Sequence, residues 1–567
     1  LPACEDMLDT GTNRYLLTED NNLSSSGDTL SSVVGIYRNL QKLADRYVIL
    51  GELRGELMDV TEYTSLDLQA IHQFNYNLTE NNPYLSFKEY YAVINNCNYF
   101  IDRVDAAQNK ALMREYAAVK AMRAWTYMQL ALNYGEVYYY EKPLLTVDDM
   151  EKIKEQPKYD FNTLARNKLI PDLMPCEAIQ LAQNFPAYGI SSVNFMPVTL
   201  LLADLYLWTE QYELAATKYH DYIERKSILA TGLIVLSWAS VTFDNAFNYY
   251  FSPGVDVVSQ IALSQNGSIV SDLPHLFLYQ STDASYYALK PSATAMNNWL
   301  KQNYLYATEK KDSIAYNLGD FRGTWPSQLS NSEGNFSYRF AASSQSDSLP
   351  YVSKYGYTGS NEYLNVGTVY VHLHKSGSIY LRYAEALNHL NKPTMAFAVL
   401  KNGLYESAIR NPKIVSPDEV SINFTGPSLS DPDQDSTYTQ ISIPPYCNFP
   451  NNIFGEREGA TKHPRTYNIG IHERGCGEIS LDTLYYCIPD ASILPTRQDT
   501  IRYVDEMICN EYALETAFEG NRFHDLMRFA IRWNDNDFLA ERVARKHNND
   551  QIRTKLNNRQ NWYLPFK

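Results

Sequence analysis

No stretch of the chain approaches the roughly 20 consecutive apolar residues that a bilayer-spanning helix needs, so no such helix is expected. Its cysteines are Cys4, Cys97, Cys176, Cys447, Cys476, Cys487 and Cys509. None stands in a CxxC pair or a Cys/His spacing of zinc type, which excludes a structural zinc site. HExxH, GxSxG and Gly-rich phosphate loops are missing, which argues against zincin, nucleophile-elbow and P-loop chemistry. His472-Glu473 stands without a second His. Basic charge is in deficit, with 49 Lys and Arg against 65 Asp and Glu, a net charge of −16. That balance argues against nucleic acid or a polyanionic glycan as the main ligand. Tryptophan is scarce, at 7 residues.

Tyrosine, in contrast, is abundant at 46 residues. Its flat apolar ring with a polar edge suits sugar stacking, peptide clamping and helix cores alike, so most copies are expected in cores. At 567 residues the chain is long enough for two or more lobes. Cys97, Cys176 and Cys509 sit in apolar helical patterns and read as small core residues. Cys447, Cys476 and Cys487 lie in loop-rich sequence, where a disulfide is one option. Asp431-Pro-Asp433-Gln-Asp435 begins like a calcium loop. Ser436 and Ser442 replace the Gly and Glu that an EF-hand requires. A looser surface calcium site is the only metal left open, and no other cofactor is expected.

Helical spacing places Ile36, Leu40, Leu43 and Tyr47 on one stripe, and Phe87, Tyr91, Ile94, Asn98 and Ile101 on another. Between them, Met58 to Tyr84 reads as loop. The helix from Leu112 to Tyr134 carries Ala117, Ala121, Ala124, Met128 and Ala131 on one face, small enough for a second helix to approach closely. Gly135 then reads as its stop. Residues 198–223 have the spacing of a tetratricopeptide-type hairpin, with Ala203, Tyr206, Ala215 and Tyr219 around a turn at Thr209-Glu210-Gln211. Residues 381–404 repeat the offsets with Ala384, Leu387, Ala396 and Leu400 around Leu390-Asn391-Lys392-Pro393, which points to a repeat scaffold. Two segments break the rhythm, 226–371 and 411–499, and long irregular insertions of this kind are functional or mobile. The expected architecture is mainly α, a tetratricopeptide-like helical hairpin scaffold with long loop-rich insertions. Its parts are a tether over 1–27, scaffold over 28–225, a ligand-binding insert over 226–371, a scaffold hairpin over 372–410, a second insert over 411–499 and C-terminal scaffold helices over 500–567.

The densest pattern is residues 511–528. Gly520 suits a left-handed C-cap between two helices, because glycine enters that region without steric cost. Acids and bases at fixed offsets can lock the corner. Glu511, Glu515, Phe518, Glu519, Gly520, Arg522, Asp525, Leu526 and Arg528 resemble the C-terminal signature of the SusD/RagB family. Tyr512 and Thr516 depart from it. Further strings resemble the same family in the same order, from about residue 84 to 566. They are the stripe at 84–101, Arg123 to Val137 with Glu136 in place of Asp, Tyr380 to Asn388, and Trp562 to Phe566. Lys375 stands nearest to the place of an Arg usual in the family. In that family the signature residues belong to the scaffold.

The opening Leu1-Pro2-Ala3-Cys4 resembles the end of a lipoprotein signal, with Cys4 as the lipidated residue and the polar run after it as a flexible tether. The resemblance implies a surface-exposed outer-membrane lipoprotein without enzymatic activity. It would capture an oligosaccharide and deliver it to a SusC-like TonB-dependent transporter. A RagB-like lid of an oligopeptide importer is the alternative. A glycoside hydrolase and an intracellular tetratricopeptide adaptor are readings of another class. For an open saccharide platform the chain offers Trp299, Tyr304, Tyr306, Asp320, Arg322 and Trp325 in the first insert, and Arg54, Asp59 and Tyr63 in the early loop. Local packing is the competing role for each aromatic, and mutual pairing for Asp320 and Arg322. Trp125 and Trp208 lie on helical stripes and read as packing.

Overall fold

The computed structural model describes residues 26–104, 112–182, 194–228, 256–264, 266–278, 287–307, 314–320, 322–323, 338–341, 349–355, 368–404, 408–409, 411–427, 437–442, 444–447, 470–476 and 486–566. The framework is helical: α1 (Ser26–Gln41), α2 (Ala44–Glu52), α3 (Lys88–Arg103), α4 (Met113–Tyr134), α5 (Ile170–Ala182), α6 (Val198–Trp208) and α7 (Tyr212–Ile228) precede the first insert. Within the insert lies α8 (Ala293–Leu300). After it come α9 (Ser376–His389), α10 (Pro393–Lys401), α11 (Arg497–Glu515), α12 (Arg522–Arg532), α13 (Asn536–His547) and α14 (Asp550–Leu556). The architecture is the mainly α one expected.

Helix α4 is the axis of the N-terminal half. Nearly every side chain on it is buried, including Trp125, and its alanines let α3 and α5 pack closely against it. Gly135 ends it at φ +82°, and a Cβ there would press on the Tyr563 ring at 3.1 Å.

Both expected hairpins are present, and a third shares their turn. In α6–α7 the Gln211 N–H donates to the Tyr206 carbonyl (2.8 Å) with Glu210 at φ +60°. In α9–α10 the Lys392 N–H donates to Leu387 O (3.1 Å) with Asn391 at φ +62°. In α12–α13 the Asp535 N–H donates to Ala530 O (2.9 Å) with Asn534 at φ +47°. One left-handed residue satisfies the terminal carbonyls of the first helix and starts the second. Each turn is thus a local device, and the packing of α7 on α9 and α9 on α11 stacks the hairpins into one core.

The insert closes on itself at its base. β2 (Val257–Ser264) pairs antiparallel with β8 (Thr368–Lys375), and β8 runs straight into α9. Four further antiparallel ribbons or pairs complete the strands: β1 (Met58–Val60) with β3 (Leu289–Pro291), β4 (Asn303–Ala307) with β5 (Ile314–Leu318), β6 (Tyr338–Ala341) with β7 (Leu349–Val352), and β9 (Ser421–Pro427) with β10 (Thr437–Ser442).

Two local expectations change. The stretch from Met58 to Tyr84 is not wholly loop: it holds β1 and a helix at Leu66–His72, started by the Ser65 side chain. Helix α11 ends at Glu515, ahead of Gly520, because the corner that follows bonds to Glu52 instead of continuing the helix. Cys97, Cys176, Cys447 and Cys509 are buried free thiols, so Cys447 takes no part in a disulfide. Among the described residues no helix is long and apolar enough to cross a membrane, and no group of His, Cys, Asp and Glu is arranged to hold a metal ion. Cys4 and the segment Asp431 to Asp435 lie outside the described residues.

Candidate functional site

Glu511 and Glu515 stand at the four-residue spacing that puts helical side chains on one face, and Glu519 follows in the corner after α11. All three are buried, so each needs a cation. Arg322 Nη1 lies 2.8 Å from Glu511 and 3.0 Å from Glu515, and its other nitrogen bonds Asp320 at 2.6 Å. Arg474 reaches Glu515 (3.3 Å) and Asp256 (3.1 Å). Lys354 (2.7 Å) and Lys375 (2.9 Å) converge on Glu519. His472 bonds Glu511 at 2.8 Å. The glutamates therefore stitch both loop-rich inserts to the C-terminal helix. Lys375 thus supplies one of the two cations on Glu519. Burial pushes the carboxyls of Glu511 and Glu519 up, but Arg322 and His472, and Lys354 and Lys375, outweigh it and hold each at about 2.

The corner after α11 is built on a further buried carboxylate, Glu52. Glu52 accepts the backbone N–H of Phe518 (3.0 Å), Gly520 (2.7 Å), Asn521 (3.1 Å) and Arg522 (3.4 Å). It thereby occupies the positive end of α12. Burial raises its carboxyl to about 7 against the bonds from Gly520, Phe518 and Arg522 and the charge of Lys354. Gly520 stands at φ +98°, and a Cβ on it would meet Tyr47 at 2.6 Å. Arg522 forks onto Glu56 (2.9 and 2.5 Å) and caps Cys509 O (2.7 Å). Arg528 and Arg532 grip Glu385 of α9 (both 2.7 Å) and tie the second and third hairpins together. The signature residues are scaffold.

Most of the expected platform residues belong to this scaffold too, which corrects their assignment to a ligand surface. Trp299 is 1% exposed and its indole N–H donates to Leu514 O at 3.2 Å. Gly323 exists because a Cβ there would lie 2.5 Å from the Trp299 ring. Tyr304 is fully buried, donates to Asp320 (2.7 Å) and stacks on His472 at 5.0 Å. Asp320 and Arg322 pair with each other, as their competing role held, and Arg322 also pairs with Glu511 and Glu515 of α11. Arg54 is also fully buried: it bonds Leu50 O (2.7 Å) and Trp562 O (3.0 Å) and covers the Phe523 face at 4.4 Å. A ligand arriving from solvent cannot stack on or bond to buried side chains. Tyr306 pairs with Ala315 in the β4–β5 ribbon, its side chain lying outside the described set, as does Trp325 altogether.

Tyr63 remains at the surface and Asp59 is half-buried. Asp59 lies within β1, paired with Lys290 of β3, and the Thr61 N–H to Ala288 O bond (3.1 Å) continues that ribbon; Tyr63 sits in the turn that follows, closed by the Thr64 N–H to Thr61 carbonyl bond (3.3 Å). Tyr63 is 42% exposed. Asp59 accepts from the Val60 N–H (2.8 Å) and lies 3.0 Å from His72 Nε2. Burial pushes its carboxyl up, but the bonds from His72 and Val60 outweigh it and leave it at about 2. The His72 ring leans on His547, 4.3 Å between centroids. Burial, with the neighbouring Lys546 ammonium, holds His72 down to about 4 and His547 to about 3. The result is an ionised acceptor on β1, backed by two neutral imidazoles, with an accessible ring in the turn four residues on. His72 and His547 went unnoticed in the sequence because they meet only through the fold.

No family model matches the chain. Over 240 residues it is 23% identical to SusD-like protein P25 of Formosa agariphila, a stretch that covers 39% of this chain and 44% of that protein. The chain thus matches less than half the length of that curated relative. Its structure superposes on a SusD superfamily protein from Bacteroides thetaiotaomicron with a TM-score of 0.54 and 17% identity, over 96% of this chain and 95% of that one. A second, from Bacteroides vulgatus, gives a TM-score of 0.57 and 14% identity over 95% of each chain. The chain has a SusD-like fold. At such low identity the SusD-like likeness is one of helix packing and not of side chains, so Asp59 and Tyr63 stand on their own geometry.

Proposed function

We propose that this SusD-like chain is a non-enzymatic glycan-binding lipoprotein of the outer-membrane surface that captures an oligosaccharide and hands it to a SusC-like TonB-dependent transporter. The observation that carries the reading is the SusD-like fold, matched over 95–96% of the chain. Asp59 and Tyr63 support it: an ionised carboxylate accepts from sugar hydroxyls, and an exposed ring covers a sugar face. The carboxylates clustered around α11 are saturated by buried cations, which leaves that cluster unfit for general acid–base work on a substrate. Cys4, the lipid anchor and Trp325 belong to this proposal as sequence expectations.

The test is mass spectrometry of ligand released from the protein purified in detergent from its native outer membrane. Sugar ladders are the expected result. A mixture of short peptides would replace the glycan reading with the RagB-like one, and turnover of the bound ligand by the purified protein would overturn the non-enzymatic reading.

A further inference from the structure

At the centre of the scaffold α2, α4, α6, β8, α9 and α12 meet around a cavity with about 30 Å³ open to water centres. Its walls are polar where an interior of this kind is usually apolar: Gln129, Asp204, His374, Arg382, His524 and Asp525 line it. A cavity holds a water once it offers roughly 10–15 Å³ of such space and two to four polar partners. Gln129 is 6% exposed and its Oε1 is buried without a hydrogen-bond partner. Arg382 bonds Asp204 at 2.7 Å, and Asp525 accepts from Arg528 at 2.8 Å. Arg382 and Asp525 nevertheless act on each other electrostatically. His524 Nε2 lies 3.2 Å from an Arg54 nitrogen, which can only donate. The imidazole proton is therefore on Nδ1, so His524 is a donor in the cavity wall.

We propose that this cavity is a water site. It takes two ordered water molecules that donate to Gln129 Oε1 and bridge the Arg382 guanidinium to the Asp525 carboxylate. A water there satisfies the Gln129 acceptor that the cavity wall leaves open and adds a solvent bridge between α12 and α9 to the direct Arg528–Glu385 ion pair. The junction of the hairpins is thus wet at its centre.

The test is a crystal structure near 1.5 Å resolution of the unmodified chain and of Gln129→Met, a substitution of similar volume. Two solvent peaks within about 2.7–3.2 Å of Gln129, Arg382 and Asp525 are expected in the unmodified protein, falling to one in the variant. A cavity without solvent density overturns the proposal, as does xenon density in it under pressure, because xenon fills dry apolar voids. A single non-water ion refined at the site also overturns it. Should Gln129→Met not fold, the native and xenon-pressurised crystals decide alone.

Discussion

Replacing Arg322 by methionine keeps the aliphatic bulk and removes one charge from the centre of the stitched cluster. Its guanidinium is the only cation bonded to Asp320 among the described residues, and it also contacts Glu511 and Glu515. After the change Glu511 keeps His472, Glu515 keeps Arg474, and Asp320 keeps the Tyr304 hydroxyl and the backbone N–H of residue 322 but no cation. Removing one partner of a buried pair leaves an uncompensated charge and costs about 3–5 kcal/mol. The surface pair Arg553–Asp537, with side chains 44% and 43% exposed, is the control, and Arg553→Met should cost about 0–1 kcal/mol. The loss should also be local. Amide hydrogen exchange in β4 and β5 should accelerate about a hundredfold or more, the kinetic equivalent of about 3 kcal/mol, while the α6–α7 hairpin, which Arg322 does not touch, keeps its protection. Equal losses for the two variants in urea unfolding, or equal loosening of α6–α7, would refute the buried-stitch reasoning.

Further outcomes follow from other positions. Glu385, Glu511 and Glu519 are held at about 2 against an ordinary 4.5. Folding therefore favours their ionised forms, and this stability, present above about pH 4.5, should drain away as pH falls toward 2; thermal melts between pH 7 and pH 3 read it. Gly51→Ala should destabilise by about 3 kcal/mol, because its Cβ would lie 1.7 Å from Gly520 O; the urea midpoint reports it. Glu210→Gly should stabilise by about 0.5 kcal/mol, since a non-glycine residue at φ +60° carries a steric cost that glycine lacks. Tyr63→Ala should weaken binding of the identified oligosaccharide about fivefold, or about 1 kcal/mol, in isothermal titration, with the melting temperature unchanged; unaltered affinity removes Tyr63 from the site.

The amino-acid sequence by itself determined the helices, the hairpins and their turns, because these depend on contacts three to five residues apart. The offsets shared by Ala203, Tyr206 and Ala384, Leu387 reappear as one turn geometry, and Gly135 stops α4 where its position says it should. The acids and bases at fixed offsets in 511–528 likewise declared a corner locked by charge. What locks it was decided only by the tertiary structure. Arg322, Lys354, Lys375 and Arg474 come from segments that no local rule aligns with α11, and a charged residue in a loop reads the same whether it ends in water or against a buried glutamate. The same ambiguity misplaced Trp299, Tyr304 and Arg54, since cores and ligand platforms draw on the same side chains and differ only in solvent exposure. Asp59 acquires its charge from His72 and a backbone N–H. The setting of His72 against His547, nearly the whole chain away, exists only once the Leu66–His72 helix and α13 have come together.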